Sequence, residues 1–152
     1  MIMILFFVVL IFVALTDMKT MEIPNKYIIA ILILGAVSTA VIQDRPMIDR
    51  LIGMVCVSLP LMMVTYLIPD AFGGGDIKLM GACGLLLGWK LSLIAFFLAI
   101  MTGGSYGVYL LLSGRKGRKE HFAFGPFLCA GMAASVLWGE ALLAWYLSLC
   151  GF

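Results

Sequence analysis

Two aspartates stand where an oily chain has least use for a charge. Asp17 closes the apolar run that opens the sequence, and Asp76 follows three glycines in AFGGGDIKLMG, residues 71–81, just ahead of another apolar run. A carboxylate at bilayer depth costs roughly 2.5–3.5 kcal/mol on insertion scales, so a chain tends to keep one there only for use. Each aspartate has a plain structural reading: Asp76 as a helix N-cap, Asp17 as the end of a membrane helix. The glycines argue against a plain cap, which needs no such run. Gly73, Gly74 and Gly75 remove side chains, allow positive φ and let another backbone lie close to the carboxylate. Two carboxylates facing each other across one water form a hydrolytic pair. Close together they do not both ionise easily, so the pair carries one proton. The ionised member takes a proton from the attacking water, and the protonated member donates to the carbonyl oxygen and later helps the leaving amine depart. That chemistry needs no metal, serine nucleophile or cysteine–histidine pair. His121, the only histidine, adjoins a basic loop and reads as interfacial.

The elements that must position these residues are membrane helices. Of 152 residues, 64% are hydrophobic and 12% charged, and the mean hydropathy is +1.16. Apolar runs recur from end to end without alternating with period two, which predicts an all-α polytopic membrane protein and disfavours a β-barrel. The length predicts a single membrane-embedded domain over 1–152. Six segments are expected, at about Ile2–Thr16, Tyr27–Ile42, Leu51–Ile68, from after Asp76 to near Trp89, Leu91–Leu112 and Phe122–Leu147. The first and fourth are short against the roughly 20 residues that span the hydrocarbon core. The opening run MIMILFFVVLIFVALTD has no basic n-region and no small-x-small cleavage site, so it reads as a retained first helix. Cys56, Cys83, Cys129 and Cys150 are scattered, with no CxxC spacing, and read as small buried apolar residues rather than zinc ligands or a redox pair.

Charge placement supports this reading. Lys19 and Lys26, Lys78, and the cluster Arg115, Lys116, Arg118 and Lys119 all fall in odd-numbered loops of a six-segment chain. Arg45, Arg50 and Lys90 fall opposite. The excess of basic residues places the odd loops in the cytoplasm and both termini outside. A net charge of +2 is too small to imply a nucleic-acid partner. Asp44 and Asp49, interleaved with Arg45 and Arg50, read as a solvated loop with local ion pairs. Glu140, near Trp138 and Trp145, reads as interfacial, and Glu22 and Glu120 read as solvated. Gly84 with Gly88, and Gly103, Gly104 and Gly107, read as helix-packing positions.

At this point three motifs resemble one family. GGGDIK (73–78) resembles the GxGD-x-K signature of type IV prepilin peptidases, the cytoplasmic-face aspartyl proteases of the GxGD class. DMKTMEIPN (17–25) resembles their first motif, an aspartate followed by Ile-Pro-Asn. FAFGPFL (122–128) resembles a third stretch ending in Gly-Pro-Phe, with Ala123 where many members have proline. The three occur in order and cover nearly the whole chain.

The resemblance implies that Asp17 and Asp76 are the catalytic pair of an enzyme without a cofactor, in the cytoplasmic membrane, its site facing the cytoplasm. It implies a prepilin or pseudopilin substrate with a short basic leader ahead of an apolar helix, cut at their junction, and contact with membrane lipid. Pro24 and Asn25 are expected to fix the start of the second helix or to be ordinary turn residues. Lys78 is expected to tune the pair or contact a lipid phosphate, and Gly125 and Pro126 to shape the site. Long members of the family carry a CxxC-paired insert and N-methylate the trimmed pilin. Here Lys26 follows Asp17 by nine positions, so a peptidase without methyltransferase activity is expected, resembling those of tight-adherence (Flp) pili, with archaeal preflagellin enzymes related. A non-enzymatic membrane subunit or small proton or cation transporter is the alternative from another class. A relay of that kind calls for carboxylates at mid-bilayer. A GxGD protease cutting within membrane helices is a third reading, which Ile-Pro-Asn and the small size disfavour.

Overall fold

The computed structural model describes residues 1–41, 45–68, 72–113 and 123–149, and every regular element among them is a helix. These are α1 (Ile2–Thr20), α2 (Asn25–Val41), α3 (Met47–Cys56), α4 (Ser58–Leu67), α5 (Gly74–Leu112) and α6 (Gly125–Leu149). Ile2–Thr20, Met47–Leu67, Gly74–Leu110 and Gly125–Leu149 are each long and apolar enough to cross a bilayer, and Asn25–Val41 is a shorter apolar helix. The expected all-α membrane architecture is the one observed.

Helical periodicity decides which side of each helix is buried. On α1 the buried residues are Phe6, Leu10, Val13 and Asp17, and on α2 they are Ile28, Ile31, Gly35 and Ser38. Steps of three and four put each set on one face. The remaining faces are apolar but exposed, for example Ile4, Ile11 and Leu15 on α1 and Ile29, Ile33 and Val37 on α2, as in helices whose outer surface meets lipid.

The third expected segment is interrupted. Pro60 has no N–H to give to the Cys56 carbonyl four residues earlier, and its ring crowds that carbonyl. The helix accordingly breaks at Val57, between α3 and α4.

The fourth and fifth expected segments run together as α5, but Gly88 within it is not helical, with φ 75 and ψ 174. A straight helix of 39 residues would be about 58 Å long, roughly twice the hydrocarbon core. The packing shows that the chain reverses at Gly88. Before it, Gly81 lies against Ser58 and Gly84 against Gly53, while Gly88 meets Asp49, so this half runs antiparallel to α3 and α4. After it, Leu91 meets Gly139, Ala95 and Ala99 meet Gly131, and Gly103 meets Phe124 and Phe127, so the second half runs antiparallel to α6. Asp76 and Gly103 therefore return to the same end of the bundle. Gly88 packs against Gly53 as expected and also makes the turn, because only glycine tolerates that φ without strain.

Two arginines close this turn. Arg45 donates to the Leu87 carbonyl, and Arg50 donates to the Leu85 carbonyl at 3.3 Å and to Ser38 Oγ at 3.4 Å. Carbonyls at a helix C-terminus lack intrahelical donors, and guanidinium groups supply them. The expected solvated loop is corrected for Arg50, which is only 1% exposed. Arg45 also lies 3.9 Å from Glu140, whose side chain is exposed. Asp44, Glu120, His121, Cys150 and the basic cluster at 115–119 lie outside the described residues. Cys83 and Cys129 are buried and Cys56 is half-buried.

The tightest crossing joins α3 to the first half of α5. A Cβ on Gly84 would overlap the Gly53 backbone and reach Met54 N at 2.6 Å. Backbone atoms cannot yield as a side-chain tip can, so Gly84→Ala is expected to destabilise by about 1–3 kcal/mol. A lowered unfolding midpoint of the solubilised protein checks this. Gly104→Ala is the control with no expected shift, since nothing lies within 4 Å of a Cβ there.

Candidate active site

Asp17 occupies the last turn of α1 and continues its buried stripe at 5% exposure. The helix closes one turn later, where Met21, with φ 54, sends its N–H to the Asp17 carbonyl at 2.8 Å. An acidic side chain at a helix C-terminus faces the negative end of the macrodipole. The opposite end of another helix offsets this. The N–H of Gly125, the first residue of α6, donates to Asp17 Oδ2 at 2.9 Å. That amide is one of the four an α-helix leaves unpaired at its start. Gly125 has to be glycine for this approach, because a Cβ there would lie 2.6 Å from Asp17 Oδ2 and 2.9 Å from Cγ.

Asp76 sits in the first turn of α5, where the macrodipole favours an acidic side chain. The Gly73 carbonyl accepts from the N–H groups of Asp76 at 3.0 Å and Ile77 at 3.3 Å, so the helix starts at Gly74 and Asp76 is not its cap. Asp76 is 7% exposed, and its Oδ1 is buried without a hydrogen-bond partner among the described residues. Both aspartates line one cavity of about 360 Å³, together with Met21, Glu22, Ile23 and the three glycines. That volume falls in the range of about 300–1,000 Å³ usual for ligand sites.

The glycine run works as expected in part: another backbone segment lies close to Gly75, but positive φ is not used. Among the described residues Gly88 is the only glycine with positive φ, so none of the three uses that freedom. Their roles differ instead. A Cβ on Gly75 would lie 2.9 Å from Ile23 Cβ and 3.4 Å from Ile23 N, so Gly75 is where the segment after α1 closes onto α5. A Cβ on Gly73 would meet only the Asp76 carboxyl, at 3.4 Å, and one on Gly74 would meet nothing within 4 Å. Gly75→Ala is therefore expected to push Ile23 away and disturb the cavity wall, while Gly74→Ala leaves the fold unchanged. Comparing the two by thermal unfolding checks the distinction, with the lower midpoint expected for Gly75→Ala.

The other residues read from the sequence lie around this cavity rather than in it. Pro24 is half-buried and its carbonyl accepts the Tyr27 N–H at 3.1 Å, which starts α2 next to exposed Asn25. Lys78 is exposed, and neither it nor Pro24 nor Asn25 lines the cavity. Pro126 is the second residue of α6, where a missing N–H costs no helical bond. Phe72 and Phe124, which precede the two glycine motifs, pack edge to face at 5.7 Å and tie the start of α5 to the start of α6. Met21, Glu22 and Ile23 were not among the expected site residues. Their signal was adjacency to Asp17, but only the chain reversal at Met21 turns them into the cavity.

The profile of the Type IV leader peptidase family matches residues 4–108. The chain belongs to the type IV leader peptidase family. Among its relatives, a Prepilin leader peptidase/N-methyltransferase of Bacillus subtilis is 31% identical over 146 residues, covering 96% of this chain and 59% of the relative. The protein of that name in Aeromonas salmonicida is 29% identical over 143 residues, covering 90% of this chain and 49% of the relative. A third of that name, from Legionella pneumophila, is 38% identical over 76 residues, which is 49% of this chain and 26% of the relative. The chain thus spans about half the length of the first two of these relatives and about a quarter of the third. No solved structure matches it.

Proposed function

We propose that this member of the family is a membrane aspartyl endopeptidase that removes the basic leader from a prepilin or pseudopilin at the cytoplasmic membrane face. The observation that carries the reading is the convergence of Asp17 and Asp76, from different helices, on one cavity at one end of the bundle. A transporter's relay calls for carboxylates at mid-bilayer, which this placement does not favour. In the proposed reaction one aspartate is ionised and one protonated. The anion accepts a proton from water as its oxygen attacks the scissile carbonyl carbon. The acid donates to the carbonyl oxygen. Collapse of the tetrahedral intermediate then breaks the C–N bond as the amine takes the proton first removed from water and a hydroxyl of the intermediate returns its proton to the other aspartate. The carboxylate held by the α6 amide stays oriented through these steps, while Asp76 Oδ1 has no hydrogen-bond partner among the described residues.

We read the activity as peptidase without N-methyltransferase, since only the segment 21–24 joins α1 to α2 and no paired CxxC motif occurs in the sequence. The test is to incubate the protein in lipid vesicles with full-length prepilins and S-adenosylmethionine as methyl donor, and follow the products by mass spectrometry. Release of an intact leader peptide and an unmethylated mature N-terminus, unchanged by chelator, is expected. No cleavage of any prepilin, with the protein folded and inserted, overturns the reading.

A further inference from the structure

We propose that Glu22 is a specificity residue of the cavity, pairing with a lysine or arginine side chain of the substrate segment close to the scissile bond. This rests on the peptidase reading. Three carboxylates, Asp17, Asp76 and Glu22, line the cavity, and among the described residues no basic side chain lines it. A wall of one sign selects a segment of the other. Among the described residues no group of three His, Cys, Asp or Glu side chains could hold a metal ion, so the three carboxylates do not read as a metal cluster. With the aspartate pair assigned to the scissile peptide group, Glu22 is the lining carboxylate left for a neighbouring side chain. A second observation is that Asp76, which lines the cavity, has its Oδ1 buried without a partner among the described residues, and a buried polar atom is ordinarily satisfied. Glu22 itself is exposed, and its position is held through the backbone, where its carbonyl accepts from Thr20 Oγ1 at 3.1 Å. Its side chain is thus free to be changed without disturbing α1 or α2.

The experiment is a substrate–enzyme charge cycle in vesicles. Wild type, Glu22→Gln and Glu22→Lys are assayed on a cleavable prepilin and on versions in which the basic residues nearest the cleavage point are changed to Gln or to Glu. Glu22→Gln is expected to lower kcat/KM about fivefold on the basic substrate, mainly through KM, and to leave the neutral one unchanged. The size follows from an exposed ion pair worth at most about 1 kcal/mol. Glu22→Lys is expected to reverse the preference and recover part of the rate on the acidic substrate. Equal losses on basic and neutral substrates, or no loss on either, overturn the proposal while leaving the peptidase intact. Failure of wild type to cut any version overturns the peptidase reading instead.

Discussion

Asparagine at position 17 or at position 76 is expected to lower leader cleavage by about 10³-fold or more, within the range for losing a positioned acid or base. The amide is nearly isosteric with the carboxyl. At position 17 its carbonyl oxygen still accepts the Gly125 N–H, so the join between α1 and α6 survives while the group loses the ability to take a proton from water. At position 76 the first turn of α5 keeps its backbone bonds to Gly73, and only the side chain's acid–base chemistry is lost. On the proposed mechanism the two act on one water, so the double variant is expected to be little worse than either single variant, the non-additivity of groups that work as a unit. Mass-spectrometric product formation with the purified proteins in vesicles measures the rate, and thermal unfolding shows whether the fold is kept. A folded variant that still cleaves at near wild-type rate removes that aspartate from the mechanism.

Gly125→Ala is the second large effect, and it separates positioning from proton transfer. The new methyl would sit 2.6 Å from Asp17 Oδ2, well inside contact distance. Either the carboxylate swings away or the start of α6 retreats, and in both cases a charge-assisted hydrogen bond is lost. Misplacing a reacting group by about 1 Å can cost about 10²-fold in rate. A fall of that order in kcat is therefore expected, with KM little changed, since Gly125 does not line the cavity. In an Asp17→Asn background the same change should add almost nothing, because the group it positions is already inert. An equal further loss there would show that Gly125 acts on something other than Asp17.

The class of fold and the two aspartates could be read directly along the chain. Bilayer-length apolar runs leave helices as the way to satisfy the backbone, and a carboxylate at the end of such a run stands out against its cost in lipid. The turn at Gly88 was legible only as a boundary near Trp89. Its φ depends on α3 and α6 packing against the two halves of α5, which no local pattern encodes. The glycine run shows the same limit: a triplet looks like backbone freedom, yet Gly75 is needed for Ile23 and Gly74 for no close neighbour at all. Arg50 looked like a surface charge because its partners, Ser38 and Leu85, are brought to it by other helices. The bond from Gly125 to Asp17, across 108 positions, could not be inferred from either motif. Composition and periodicity settle which residues must leave water. Which backbone amide meets which carboxylate is decided by helix packing, since close approach is a property of two surfaces and neither sequence stretch contains the other.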